Sequence, residues 1–431
     1  EEAKKSDKPT LIEVKTIIGA GSPNKQGTNG VHGAPLGEEE TALFRKEIGW
    51  EYDPFEIPTE VYADFKEKVA DRGEAACKSW EKLYDDYKAK YPELASELEE
   101  VLSRKDIERL SKESFGFKNV GEAQATRNSS QDAINSIAAV LPTFFGGSAD
   151  LSHSNMTFIK GEGLQDNENR VARNVQFGVR EFGMATILNG LMLHGGVRVF
   201  GGTFFVFSDY LKAALRLSAL QNLPVTYVFT HDSIAVGEDG PTHEPIEHLA
   251  SLRTIPNTYV FRPADATEAQ AAWYLSQKVN NKPTSLVLTR QNLPILENTS
   301  FEKVSKGAYV VYETSSDFDT ILIATGSEVA LAVDVARKLE KEGSKVRVVS
   351  MPSVELFEEQ SKEYKEELLP RSVRRRVSLE MGNTALWYKY VGLEGLAIGI
   401  DNFGASAPAN KVIEEYGFTV EKVVERIKNE L

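Results

Sequence analysis

Two motifs place polar side chains on stiff backbone and could carry chemistry. In VREFGM at 179–184, Glu181 opens an otherwise apolar helix, and THDSIAVGEDGPTHEP at 230–245 follows the apolar run PVTYVFT. A carboxyl group that an apolar helix buries keeps its proton and can donate a hydrogen bond to a ring nitrogen. The second motif places His231 and His243 after a predicted strand, where open α/β sheets bind their ligands.

Two arginines and three aromatic residues allow either a structural or a functional interpretation. Arg127 borders an apolar stretch and Arg290 directly ends the predicted strand SLVLT. A guanidinium at a strand end can bind a phosphate through two hydrogen bonds, although a surface salt bridge is the commoner use of a lone arginine. Phe204, Phe207 and Tyr210 have helical spacing, which is typical of core packing; the alternative is a stacking platform for a heteroaromatic ring.

Several common kinds of site are not supported. The spacing of His231, His243 and His248 matches neither an i, i+4 helical pair nor a zinc finger. No G-x-S-x-G elbow is present, and the strand-turn-helix ATGSEV lacks the G-x-G-x-x-G of a dinucleotide site. We therefore assign no metal ligand to this chain. The role of His153 stays open.

The elements that must position these residues indicate an α/β protein of several domains. We predict a domain remnant at 1–57, with a strand at 11–18, and a helical linker at 58–113. Short apolar strands then alternate with helices over 114–305, which predicts a mainly parallel sheet. A smaller α/β domain follows at 310–431, with strand, turn, helix and strand at its start.

Composition excludes some partners. A net charge of -14 argues against a nucleic-acid partner, because phosphate backbones require an excess of lysine and arginine. No apolar run is long enough to cross a bilayer, so no membrane association is expected. The single cysteine, Cys77, excludes internal disulfides and favours a reducing compartment, so we expect a cytoplasmic location.

Further motifs stand in a recognisable order: VHGAPLG, GGSADLSHSN, GGTFFVFSDY and TRQNL. Together with VREFGM and GEDGPTHEP they resemble the transketolase family over essentially the whole chain. The resemblance implies a thiamine-diphosphate-binding fold, a parallel sheet flanked by helices, followed by a smaller α/β C-terminal domain. It also implies reversible transfer of a two-carbon ketol unit from a ketose phosphate to an aldose phosphate through a thiamine-diphosphate carbanion, a reaction of the pentose phosphate pathway.

The resemblance also implies a role for each motif residue. Glu181 would hydrogen-bond the aminopyrimidine N1′ of thiamine diphosphate. The pyrimidine pocket would be formed by Phe204, Phe207 and Tyr210. Sugar hydroxyls would be contacted by His32, Asp150, Asp239 and His243, with the two histidines as candidates for moving the hydroxyl proton during C2–C3 cleavage. The terminal phosphate would be held by Arg127, Ser154, His231 and Arg290.

One departure from the family shapes the remaining expectations. The family binds the diphosphate and Mg²⁺ through a GDG motif followed some thirty residues later by an asparagine, and this chain has no such motif. We therefore expect those ligands in a missing N-terminal region and predict that the chain alone is inactive. The family also implies a homodimer with active sites at the subunit interface, and a C-terminal domain that contributes little to catalysis.

Two alternatives remain. Another thiamine-diphosphate enzyme, such as dihydroxyacetone synthase or deoxyxylulose-phosphate synthase, would share Glu181 and the pyrimidine pocket but differ in the phosphate-binding residues or in His32. A non-catalytic binding or regulatory subunit descended from transketolase would have lost catalytic positions, whereas Glu181, Asp239 and His243 are intact.

Overall fold

The computed structural model describes residues 1–116 and 118–431. Two compact units make up the chain, Glu1–Pro92 and Glu93–Leu431. The domain boundaries drawn from the sequence remain predictions.

The first unit consists of glycine-rich loops and helices. Helix α1 spans Glu38–Glu47, and a π-helical turn at Lys66–Ala70 joins α2 (Thr59–Phe65) to α3 (Asp71–Lys90). The side chain of Glu40 in α1 is buried and accepts hydrogen bonds from Ser22 and from the backbone and side chain of Asn24. These bonds, first among them that from Ser22, hold the pKa of Glu40 well below its usual range.

The strand predicted at 11–18 does not form. Residues 11–17 have no regular secondary structure, and the side chains of Leu11 and Ile12 are exposed. The prediction followed the apolar run LIEVKTII, but no described strand pairs with this segment, and a strand needs a neighbouring strand to satisfy its backbone.

The second unit is built from strands and helices in alternation. Its strands are β1 (Ala123–Ala125), β2 (Phe144–Ser148), β3 (Asn174–Gln176), β4 (Arg198–Phe204), β5 (Thr226–Thr230), β6 (Tyr259–Phe261), β7 (Thr284–Leu288), β8 (Asn292–Pro294), β9 (Tyr309–Glu313), β10 (Thr320–Ala324), β11 (Val346–Ser350), β12 (Arg375–Leu379) and β13 (Leu396–Ile398). Its helices are α4 (Pro92–Leu102), α5 (Thr126–Val140), α6 (Ser152–Asn155), α7 (Glu181–His194), α8 (Ser208–Leu220), α9 (His248–Arg253), α10 (Ala266–Lys278), α11 (Phe301–Val304), α12 (Glu328–Lys341), α13 (Val354–Glu358), α14 (Lys362–Leu368), α15 (Tyr388–Val391), α16 (Ala409–Glu415) and α17 (Val420–Glu430).

A six-stranded parallel sheet in the order β3-β2-β4-β5-β7-β6 forms the first half of this unit. Every residue of β4, β5 and β7 is buried, as expected for parallel strands that helices cover on both faces. Phe204 lies beside Thr230, and Thr230 lies beside Leu288. Strands β4, β5 and β7 therefore end side by side at one edge of the sheet.

A five-stranded sheet in the order β13-β12-β10-β11-β9 forms the second half, with only β9 antiparallel to its neighbour. A two-stranded ribbon, β1-β8, completes the unit. The prediction of a largely parallel α/β sheet followed by a smaller α/β domain is thus confirmed. Among the described residues no helix combines the length and the apolar character that a membrane span requires.

Buried ion pairs connect the two sheets. The guanidinium of Arg262, which follows β6, contacts Asp232 at 2.8 Å and also pairs with Glu328 at the start of α12. All three side chains are fully buried. Because Asp232 directly follows His231, this network fixes the base of the 230–245 loop.

Candidate active site

The carboxyl ends of β4, β5 and β7 bring several of the predicted site residues together. Phe207 follows β4, His231 follows β5 and Arg290 lies two residues beyond β7. Parallel strands end at the same edge of their sheet, and this edge is where α/β folds bind ligands. The observed strand order therefore explains why these residues, distant in sequence, are neighbours.

His231 is buried, and its ring is held by two contacts. Its ring centroid lies 3.8 Å from that of Phe204, with 34° between the planes. Its Nδ1 lies 2.9 Å from the Thr230 hydroxyl, which donates its own proton to Asn155 Oδ1 at 2.7 Å. The Thr230 oxygen therefore accepts from His231 Nδ1–H, and Nε2 is the unprotonated nitrogen of the neutral ring.

Two arginines flank His231 without carboxylate partners among the described residues. Arg127 Nη1 donates to the backbone oxygen of Ser154 at 3.0 Å, and its Nε is buried without a hydrogen bond. Arg290 Nη1 donates to the backbone oxygen of Val236 at 2.9 Å. Burial, followed by the charges of Arg127 and Arg290, lowers the pKa of His231 to about 3. An excess of positive charge with spare N–H donors is a site for an anion.

An aromatic row continues from this cluster. Phe204 and Phe207 are stacked with centroids 5.8 Å apart, and Phe207 lies 5.9 Å from Tyr210 and 5.5 Å from His243. Phe204 is buried and Phe207 is half-buried, but Tyr210 is 65% exposed. The row therefore runs from the interior to the surface, whereas core packing would bury all three rings.

The 230–245 loop carries Asp239 and His243 to the same region. Gly237 and Gly240 both have positive φ, 82° and 75°, a backbone conformation that favours glycine. His243 is half-buried with its Nδ1 2.9 Å from the Thr242 hydroxyl, while Asp239 is exposed.

Three further predicted site residues take no part in the contacts described above. Glu181 is the first residue of α7 and is half-buried rather than buried, because the first position of a helix leaves one side open. Asp150 is exposed two residues beyond β2, with a positive φ of 61°. His32 lies in the first unit, exposed after a short 3-10 turn at Asn29–Val31. The catalytic and binding roles of these residues stay predictions.

Some residues that orient the predicted site residues were not predicted from the sequence. Asn155 and Thr230 fix the tautomer of His231, and both stand inside motifs already singled out, GGSADLSHSN and the 230–245 loop. Glu244, next to His243, is buried and was assigned no role. The signal available in the sequence was a polar residue next to a candidate histidine, because Thr230 precedes His231 and Glu244 follows His243.

One group of possible metal ligands occurs among the described residues: Asp209, Glu247 and His248. The ammonium group of Lys212 lies 3.0 Å from Asp209 and occupies one side of this carboxylate. His231 and His243 belong to no such group in the part of the chain that the structure describes.

Three family models match the chain in order. They are the transketolase thiamine diphosphate binding domain over residues 1–106, the transketolase pyrimidine binding domain over residues 122–295 and the transketolase-like C-terminal domain over residues 307–419. The chain belongs to the transketolase family.

Several transketolases are close relatives. A probable transketolase of Streptococcus pneumoniae is 66% identical over 429 residues, covering 100% of this chain and 65% of the relative. The transketolase of Bacillus subtilis is 52% identical over 434 residues, with 99% and 65% covered. The crystal structure of Pichia stipitis transketolase with sedoheptulose-7-phosphate superposes with a TM-score of 0.91 at 41% identity, covering 100% of this chain and 64% of that chain. This chain thus spans about 65% of the length of the curated transketolases that it matches.

One expectation is corrected by these matches. The thiamine diphosphate binding domain model matches residues 1–106, which contradicts the expectation that this region is missing. The expectation rested on one absent motif, GDG followed by an asparagine, and the family resemblance extends through residues that lack it. The predicted inactivity of the chain loses its support with this correction. The match also runs through the helices that we interpreted as a linker.

Proposed function

We propose that this protein is a transketolase, which transfers a two-carbon ketol unit reversibly from a ketose phosphate to an aldose phosphate. The observation that carries the proposal is the pair of guanidiniums, Arg127 and Arg290, that flank a buried histidine beside an aromatic row at one sheet edge. Relatives from Pichia stipitis were solved with sedoheptulose-7-phosphate, xylulose-5-phosphate and fructose-6-phosphate. These sugar phosphates are the substrates we propose here.

The positive cluster is the proposed phosphate-binding site. Arg127 and Arg290 each use one N–H on a backbone oxygen and keep others for a phosphate. Ser154, whose carbonyl holds Arg127, adds a hydroxyl beside them. Burial, followed by the charges of Arg127 and Arg290, lowers the pKa of His231, and a bound phosphate would offset the two charges. Binding therefore raises the pKa of His231, and a protonated ring can donate from Nε2 to the phosphate.

Thiamine diphosphate with Mg²⁺ is the proposed cofactor, and the aromatic row fits its pyrimidine ring. Phe207 is half-buried and Tyr210 is exposed, and the half-buried Glu181 carboxyl has no hydrogen bond among the described residues. When bound, thiamine diphosphate supplies a thiazolium ring that accepts the electron pair of the broken C2–C3 bond. Glu181 would hold the pyrimidine N1′ through a hydrogen bond. Among the described residues we identify no group of metal ligands that belongs to a diphosphate site, so we assign no residue to Mg²⁺.

The proton and hydroxyl contacts of the sugar are assigned to the loops. His243 has one ring nitrogen next to Thr242, which leaves Nε2 for a substrate hydroxyl, and we propose it with His32 as the groups that move the hydroxyl proton during C2–C3 cleavage. Asp239 and Asp150 would bind sugar hydroxyls, since both side chains are exposed.

A homodimer with active sites at the subunit interface is also part of the proposal. Helix α7 and helix α8 carry exposed apolar side chains, among them Phe182, Leu193 and Leu220 at 50%, 61% and 67% exposure. Apolar surface of this kind is typical of a subunit contact.

A cytoplasmic location is proposed from the single cysteine alone.

The test is a ketol-transfer assay with thiamine diphosphate, Mg²⁺, xylulose-5-phosphate as donor and an aldopentose phosphate as acceptor. We expect sedoheptulose-7-phosphate as a product. Cofactor binding without any product would favour the non-catalytic subunit, and absence of both would overturn the proposal. Equal turnover of donors with and without a phosphate would favour another thiamine-diphosphate enzyme, because the arginine pair would then contribute nothing.

A further inference from the structure

Glu244 is a buried carboxyl group that the proposed mechanism does not use. It directly follows His243, its residue is 2% exposed, and neither carboxyl oxygen forms a hydrogen bond of good geometry with the described residues. An unpaired buried polar group costs stability, so its retention next to a candidate catalytic histidine calls for a physical reason.

The carboxyl group packs against the chain between β13 and α16. A Cβ built on Gly404 would lie only 1.7 Å from Glu244 Oε2, so only glycine leaves room for the carboxyl there. Burial raises the pKa of Glu244 to about 7, the charge of Asp239 adds to the rise, and the N–H of Ala405 opposes it. Residues 403–406 contain no titratable side chain, and Asp239 is the charged group whose electrostatic effect reaches this carboxyl.

The same two segments touch at further points. Ser406 Oγ donates to the backbone oxygen of Glu238 at 2.7 Å. A Cβ on Gly240 would meet the Ser406 side chain at 3.0 Å, and a Cβ on Gly237 would meet Ala409 N at 3.0 Å. The loop that carries Asp239 and His243 is therefore seated along its length on the C-terminal half of the second unit.

We propose that Glu244 is a positioning residue, whose buried carboxyl group seats the 237–243 loop on residues 403–406 and thereby holds Asp239 and His243 in place for the sugar. The role of Asp239 and His243 in this statement rests on the proposed function. The C-terminal half, for which the family resemblance implies little part in catalysis, then helps to hold the site residues in place. The carboxyl acts through its shape, because both of its oxygens are buried without a hydrogen-bond partner among the described residues.

The test compares four variants of the full chain: Glu244→Ala, Glu244→Gln, Gly404→Ala and the control Gly73→Ala, whose added Cβ meets nothing within 4 Å. For Glu244→Ala and Gly404→Ala we expect kcat/KM for the ketose phosphate to fall about ten- to a hundredfold, mainly through KM, with unchanged thiamine diphosphate affinity. Glu244→Gln should retain near wild-type kinetics, because the amide keeps the shape of the carboxyl group. Gly73→Ala should match the wild type.

Hydrogen exchange of the backbone amides at 238–243 gives a readout that does not depend on activity. Protection should fall in Glu244→Ala and Gly404→Ala but not in Glu244→Gln. If Gly404→Ala does not fold, Ser406→Ala replaces it, because it removes only the bond to Glu238. Wild-type exchange and kinetics in both Glu244→Ala and Gly404→Ala, or in Ser406→Ala where it replaces Gly404→Ala, would overturn the proposal. A Glu244→Gln variant as impaired as Glu244→Ala would also overturn it. A wild-type chain without ketol transfer would instead contradict the proposed function. The exchange data would still test whether Glu244 seats the 237–243 loop on residues 403–406.

Discussion

The ring of His231 lies against the ring of Phe204, with 3.8 Å between centroids. The pairing of Phe204 with Thr230 in neighbouring parallel strands sets this contact, because the residue after Thr230 is His231. A candidate phosphate ligand and a candidate pyrimidine-stacking residue therefore share one edge of the sheet. Removal of a guanidinium at the proposed phosphate site and removal of the Glu181 carboxyl on α7 should therefore change different kinetic parameters.

Arg290→Ala should weaken the binding of phosphorylated sugars. The loss of a charged hydrogen bond costs about 1.5–3 kcal/mol, which is roughly a ten- to hundredfold rise in KM with little change in kcat. Steady-state kinetics with xylulose-5-phosphate would measure it, and a donor without a phosphate is the matched control. A change in kcat alone would contradict the assignment.

Glu181→Ala should abolish ketol transfer and leave the fold intact. Glu181 is half-buried at the start of α7 and forms no hydrogen bond with the described residues, so its loss breaks no internal contact. Turnover and thermal unfolding would be measured together on the same sample. Glu181→Gln is the second variant, and substantial activity in either one would contradict a role at the pyrimidine N1′.

Glu244→Gln should stabilise the protein at neutral and alkaline pH. The pKa of Glu244 is raised from 4.5 to about 7, so below pH 4.5 the group is protonated in both the folded and the unfolded chain. Between pH 4.5 and 7 only the unfolded chain ionises it, and the folded state loses stability relative to the variant; above pH 7 the loss is constant. Denaturant unfolding across this range should show a difference that grows with pH. A constant difference would contradict the raised pKa.

Arg262→Met should destabilise the second unit strongly. It would leave the carboxyl groups of Asp232 and Glu328 buried without their cation. Breaking a buried pair in this way costs about 3–5 kcal/mol. Arg337→Met is the control, because its bond to Asp334 is exposed and such pairs contribute about 0–1 kcal/mol. Equal free energies of unfolding for the two variants would contradict a structural role for the network.

Local patterns in the sequence predicted the parallel sheet and its candidate edge, but not every element. Strands β5 and β7 were recognisable because they are short, rich in β-branched and apolar residues and bounded by turns. The run at 11–18 is also rich in apolar residues, but no described strand pairs with it, which no local pattern can reveal. The seating of Glu244 on Gly404 likewise depends on a contact between residues far apart in sequence. The absent GDG motif was a poor guide, since the family match covers residues 1–106.

Anion binding at the arginine pair should be coupled to proton uptake by His231. Burial and the charges of Arg127 and Arg290 hold the pKa of this ring at about 3, so the ring is neutral in the free protein at ordinary pH. A bound anion offsets the guanidinium charges and raises that pKa, and affinity should therefore fall as pH rises. Sulfate is the suitable probe, because it does not titrate near neutral pH. Calorimetry in buffers of different ionisation enthalpy should show proton uptake in the wild type and none in His231→Asn. Equal uptake in both would assign the proton to another group and contradict the role of His231.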